Sequence, residues 1–296
     1  MMGYSTTHDG DRLDLEITGS GPTVLLPVDP TPITGDRAEE MRRWGADPAL
    51  GRALVDGLSD RFRVVAFDYE GHVMGRPKPT TLTPGNVAAD ILAVADAVEA
   101  ESFAYYGYSW LALAGLQLAI RTDRLSALVM GGFPALNGPY AEMLEVTTAA
   151  HRRAEAGGHD GRQETDGGGE PDWDTVEISA PPERTRQFVT LYEALTGFDD
   201  RAAAASVRCP RLCFAGAADT IVYPESWGGV TVDIAGGLMR GRAELAEAGW
   251  DVELLDGLDH LGAMLPHHVL PVVAPWLRGA LAARGDVPVR RPRSAG

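Results

Sequence analysis

Residues 103–119 read FAYYGYSWLALAGLQLA. The first half is a short apolar and aromatic run of strand length. The second half is an apolar run of helix length, and the two meet at Ser109. A residue at such a junction sits on a sharp turn that lifts its side chain above the sheet. The helix that follows directs its first amide groups at the same spot. Serine is a weak nucleophile until a neighbouring base takes its proton. The stretch therefore predicts both a strand–turn–helix unit and a reason to look for a base at the same edge of the sheet.

Working outward, the pattern repeats. Residues 13–17 alternate apolar and charged, as a half-exposed strand does, and residues 23–28, TVLLPV, form a continuous apolar run. Further strands are predicted at 62–67, 125–130, 211–215 and 252–255. Helices are predicted at 48–58, 83–98, 111–120, 238–248 and 269–281. Thr83 and Pro84 suit the start of one of them, with Val87, Ile91, Val94 and Val98 on one face. Buried strands alternating with helices predict an α/β protein whose mainly parallel sheet carries helices on both faces. The middle of the chain departs from this rhythm. Helices are expected at 140–153 and 182–195, separated by a glycine-rich polar stretch, 156–171, that cannot bury a core and reads as a mobile loop. The expected division is a core of residues 1–134 and 206–296 with a helical cap inserted at 135–205. The tail from Arg284 is polar and reads as frayed.

Ligands of such sheets bind outside the carboxyl ends of the strands. Asp219 directly follows the strand at 211–215. There a carboxylate either receives an imidazole N–H or caps its own loop. His260 follows the strand at 252–255. The chain has seven histidines; His72, after the strand at 62–67, is the rival to His260. Ser109, Asp219 and His260 all follow strands, in the order Ser, Asp, His.

Composition narrows the classes. Lys and Arg total 26 against 42 Asp and Glu, a formal charge of −16, which argues against nucleic acid and anionic membranes as partners. The two cysteines, Cys209 and Cys213, are not spaced as a metal pair and read as buried free thiols. No histidine motif with ligand spacing and no glycine-rich phosphate loop is present, so neither a metal nor a cofactor is implied. No signal peptide or membrane span is read, and a cytoplasmic protein is expected. The partner expected is a small-molecule substrate. The oligomeric state stays open, a homo-oligomer included.

At these residues the chain resembles the α/β-hydrolase fold family. GYSWLALAGLQLA resembles its nucleophile elbow and following helix, and DYEGHVMGRPKP, from Asp68, a loop that normally reads D-x-x-G-x-G-x-S. FAGAADTIVYP resembles the acid loop and DGLDHLGAM the histidine loop. The likeness runs from about residue 21 to 281, the inserted block standing where the family carries its cap. It implies Ser109 as nucleophile, His260 as base and Asp219 as the residue that orients it. It also implies an oxyanion hole from the backbone N–H groups of Trp110 and Asp29. Met143, Trp173, Phe188 and Tyr192 are the cap residues expected to face substrate, the other reading being packing within the cap. Two departures stand out. Pro27-Val28-Asp29-Pro30 replaces the usual His-Gly, which puts a carboxylate beside an oxyanion site. It points away as a turn former, is protonated, or meets a cationic part of the substrate. Leu111 replaces the last glycine of G-x-S-x-G, with Ala112 and Gly115 left to make the close helix–sheet contact. The implied activity is hydrolysis of a small or medium-sized ester or lactone through an acyl-enzyme. Non-hydrolytic chemistry on the same site and ligand binding without turnover are the alternatives.

Overall fold

The computed structural model describes residues 1–157 and 181–285. The glycine-rich stretch, from residue 158 on, and the tail beyond 285 lie outside them. The chain opens with a hairpin, β1 (Met2–Thr6) and β2 (Arg12–Thr18), followed by β3 (Thr23–Leu26). After α1 (Asp36–Arg43) and α2 (Leu50–Ser59) come β4 (Arg63–Ala66), α3 (Tyr69–Gly75) and α4 (Pro84–Ala97). The central unit is β5 (Phe103–Tyr108), α5 (Trp110–Ala119) and β6 (Leu125–Gly131). Three helices then intervene, α6 (Tyr140–Glu155), α7 (Pro182–Glu193) and α8 (Asp200–Ser206). The last part is β7 (Arg211–Gly216), a small hairpin of β8 (Thr220–Val222) and β9 (Thr231–Asp233), α9 (Ile234–Glu247), β10 (Asp251–Leu255) and α10 (Pro266–Gly285).

Eight strands form one sheet in the order β1-β2-β4-β3-β5-β6-β7-β10. From β4 to β10 the neighbours are parallel; the β1–β2 and β2–β4 pairs are antiparallel. The reason is visible in β3 and β4. Leu25 and Val65 are buried on one face, and Val24, Leu26, Val64 and Ala66 on the other. A strand buried on both faces needs a helical layer on each. On one side Val87, Ile91 and Val94 of α4 join Leu113 and Leu116 of α5. On the other, Leu54 and Leu58 of α2 join Val269, Val273 and Leu277 of α10. Thr83 caps α4 as expected, its hydroxyl accepting the Asn86 N–H at 3.3 Å. Among the described residues no helix is long and apolar enough to cross a membrane.

Several elements carry no clear periodicity. α1, DRAEEMRR, is polar on nearly every side, with only Ala38 buried. α3, YEGHVMG, contains two glycines and is started by the Asp68 carboxylate, which accepts the Gly71 N–H at 2.8 Å. β1 is largely exposed and is held by pairing with β2. These three come from tertiary contacts and capping rather than an apolar stripe.

Candidate active site

Ser109 lies between β5 and α5 with φ 55° and ψ −131°. A left-handed conformation costs a non-glycine residue about 1–3 kcal/mol, so surrounding bonds must enforce it. The Ser109 N–H donates to the Gly131 carbonyl at 2.8 Å, and its own carbonyl accepts the Ala112 N–H at 2.8 Å. The turn is tight enough that a Cβ on Gly107 would lie 2.2 Å from the Leu111 carbonyl oxygen. Leu111 itself meets no such limit: its carbonyl accepts the Tyr105 hydroxyl at 2.8 Å. The close approach falls one turn later. A Cβ on Gly115 would come within 2.8 Å of the Tyr105 ring and 2.9 Å of Leu128. Gly115 thus supplies the helix–sheet contact that Leu111 does not.

β7 and β10 are neighbours in parallel register, with Gly216 opposite Leu255. The loops after them therefore leave the sheet side by side. A Cβ on Gly216 would lie 2.1 Å from the Leu258 carbonyl, and the Ala218 N–H donates to that carbonyl at 2.9 Å. These contacts bring Asp219 to His260, whose Nδ1 is 2.9 Å from Asp219 Oδ2. A carboxylate only accepts, so this contact places the ring proton on Nδ1 and leaves Nε2 as an acceptor. Asp219 is fully buried, and its second oxygen has no hydrogen-bond partner among the described residues. Tyr108 steadies the histidine loop from below. Its hydroxyl donates to the His260 carbonyl at 2.8 Å, and its ring lies 5.2 Å from the imidazole. Burial, reinforced by Asp219, pushes the Tyr108 phenol far above its ordinary range, so it stays a donor.

Ser109 and His260 line one cavity of about 550 Å³, with no hydrogen bond joining them. Such a contact is commonly long in a protein without substrate. Trp110 and Asp29 line the same cavity. Trp110 begins α5, so its N–H has no acceptor within the helix. The Asp29 N–H likewise meets no protein acceptor among the described residues. The Asp29 carboxylate is turned onto its own loop, accepting the Thr31 N–H at 2.8 Å. This is the turn-forming reading of the Asp-Pro pair. The loop is held further by Arg52, whose Nε donates to the Pro30 carbonyl at 3.0 Å while its guanidinium grips Glu16.

The rest of the wall differs from expectation. It is built by Ile33 and Met41, between β3 and α2, by Leu50 and Leu54 of α2, and by Met264. Met143, Phe188 and Tyr192 are not among its lining residues. Tyr192 is buried in the core, and Met143 and Phe188 pack against that core. These side chains of the helical block are used in packing. Phe188 touches the site indirectly, edge-on to the Trp110 ring at 5.5 Å. Trp173 lies outside the described residues. His72, the rival histidine, sits on α3 stacked on Tyr69 and does not line the cavity.

Sequence reading missed Gly51, Glu70 and Tyr108. Gly51 lies where a Cβ would stand 1.9 Å from the Asp29 carbonyl, so only glycine lets α2 approach that peptide. Nothing in the local pattern signals this. Tyr108, directly before the serine, and Glu70, two residues after Asp68, were within the quoted motifs.

No protein-family model matches the chain. Among curated proteins, "Putative carbamate hydrolase RutD" of Agrobacterium fabrum is 33% identical over 84 residues. That match spans 27% of this chain and 31% of that protein, about a third of its length. Solved structures match over nearly the whole chain. A thermophilic esterase from Thermogutta terrifontis gives a TM-score of 0.59 at 20% identity, covering 95% of this chain and 98% of its own. The enol-lactonase from Burkholderia xenovorans gives 0.59 at 19% identity, covering 93% and 99%. Epoxide Hydrolase A from Mycobacterium thermoresistibile gives 0.55 at 19% identity, covering 94% and 99%.

Proposed function

From a chain with the α/β-hydrolase fold, we propose a serine hydrolase that cleaves a small or medium-sized carboxylic ester or lactone. The observation that carries this reading is the convergence in one cavity of a strained serine, an imidazole held by a buried carboxylate, and two backbone N–H groups without acceptors. Each has a place in acyl transfer. Ser109 Oγ attacks the carbonyl carbon as His260 Nε2 takes its proton. The negative charge that develops on the carbonyl oxygen is received by the N–H groups of Trp110 and Asp29. His260 passes the proton to the leaving alcohol, which departs and leaves an ester on Ser109. Water then repeats the sequence, with His260 as base, to release the acid. Asp219 keeps the imidazole in the required tautomer and stabilises its charged form. The names of the esterase and enol-lactonase neighbours and of the carbamate-hydrolase relative accord with acyl hydrolysis.

The direct test is a fluorophosphonate, which reacts only with an activated serine beside a working oxyanion site. One adduct by intact mass on the wild-type protein, absent from Ser109→Ala, is the expected result. A folded wild-type protein that takes up no reagent would remove the proposal.

Gly51 gives a second test. Gly51→Ala places a methyl where the Asp29 carbonyl now lies, which tilts the peptide chain leading from the Asp29 N–H. Displacement of a donor by about 1 Å is expected to lower kcat by about 10²-fold. Steady-state kinetics on a neutral aryl ester, beside a thermal melt, separates that loss from a loss of folding.

A further inference from the structure

The cavity that holds Ser109 and His260 has a lining of one electrical sign. Asp29, Asp47, Asp68 and Glu70 all line it, and among the described residues no lysine or arginine does. Several carboxylates elsewhere in the fold are paired with cations. Glu16 is paired with Arg52, Asp11 with Arg76, Asp9 with Lys78 and Asp96 with Arg124. The four cavity carboxylates have no ion-pair partner among the described residues. Backbone capping accounts for one oxygen each of Asp29, Asp47 and Asp68, which accept the N–H groups of Thr31, Ala49 and Gly71. It leaves the second oxygen of each unused. Among the described residues Glu70 is bonded only to the Trp110 indole N–H, at 3.4 Å.

These groups also act on one another. Burial raises the Asp68 carboxyl above its ordinary value, and Asp29 adds to the rise. Glu70 reaches solvent, yet the surrounding protein displaces enough water to raise its carboxyl too, with Asp68 contributing. A bound cation would relieve this repulsion, and a bound anion would compound it. The distribution is ordered by depth. Asp29 and Glu70 are exposed and Asp68 is half-buried, whereas Leu26 and Leu54 are buried at the inner wall. Trp110, beside Glu70, adds an aromatic face of the kind that favours ammonium groups.

We propose that the substrate is a cationic ester: a positively charged nitrogen sits among Asp29, Asp68 and Glu70, and an apolar portion lies against Ile33, Met41 and Leu54. This rests on the serine-hydrolase reading and names its substrate class. Anionic esters and lactones are poor substrates on the same ground, because no cation in the wall receives their charge.

Three alkyl fluorophosphonates of equal length test it, ending in a trimethylammonium, a tert-butyl or a carboxylate group. The readout is the second-order rate of adduct formation on Ser109 by intact mass. The cationic reagent is expected to react about tenfold faster than its neutral isostere, and the anionic one about tenfold slower, with both gaps narrowing at high salt. In Glu70→Gln the ratio of cationic to neutral rates falls. Adducts that form at equal rates with all three overturn the substrate class and leave the nucleophile standing. An anionic reagent that reacts fastest does the same. Adducts with none of them overturn both.

Discussion

Ser109→Ala is expected to lower ester hydrolysis by roughly 10⁴-fold or more, with the fold intact. On the proposed mechanism the substitution removes the atom that forms the covalent intermediate, and the base and oxyanion donors cannot replace it. What remains is binding and the N–H groups of Trp110 and Asp29, which speed attack by water only modestly. The fold should tolerate it well. Ser109 is held by its backbone, through the Gly131 carbonyl and the amides of Ala112 and Leu113, and its hydroxyl makes no hydrogen bond among the described residues. The check is kcat/KM on a neutral aryl ester together with a thermal melt. Retention of more than a tenth of the rate at an unchanged melting temperature would sink Ser109 as the nucleophile and favour non-hydrolytic chemistry in the same cavity.

Asp219→Asn is expected to cost about 10³–10⁴-fold in kcat, for a different reason. The substituted amide keeps the shape of the side chain but offers an N–H to the imidazole. The ring then takes the opposite tautomer, with its proton on Nε2, and cannot accept the serine proton. Asp219 is fully buried and meets His260 Nδ1 at 2.9 Å, so no water stands in for the carboxylate. Stability should change little, because the substitution withdraws a charge from a buried site rather than adding one. A pH–rate profile and a near-ultraviolet spectrum on the folded variant distinguish the two effects. A loss below tenfold would show that the 2.9 Å contact does not set the tautomer during turnover.

Much of the fold was legible because a strand buried on both faces must be apolar at every position. TVLLPV, FRVVAF and LSALVMG cannot be anything else beside helical runs of the right length. The two ends of the site were legible for a related reason. Ser109, Asp219 and His260 each follow a strand in the parallel part of the sheet, and parallel strands bring their carboxyl ends to one edge. The cavity wall was not legible. The segment from 29 to 47 carries its apolar residues Ile33 and Met41 without helical or strand spacing, so nothing local says what they face. Met143, Phe188 and Tyr192, expected to face substrate, do not line this cavity; apolar residues on an inserted helix serve packing as readily as binding, and these pack with the core.

The sequence alone determined the layered α/β architecture and the places of Ser109, Asp219 and His260 after their strands. Both depend on patterns that repeat within a few residues, and the buried strand and the strand–turn–helix junction are such patterns. Only the tertiary structure decided how Asp29 is used. Its carboxylate is claimed by Thr31 N–H, which frees its own N–H for the cavity, and Gly51 and Arg52 hold that loop from a helix 22 residues further on. It also decided that four unpaired carboxylates, from positions 29 to 70, share one wall with the serine. Charge interactions act through space and fall off with distance rather than with sequence separation. Which carboxylates meet, and which have an arginine beside them, is therefore set by how the chain packs.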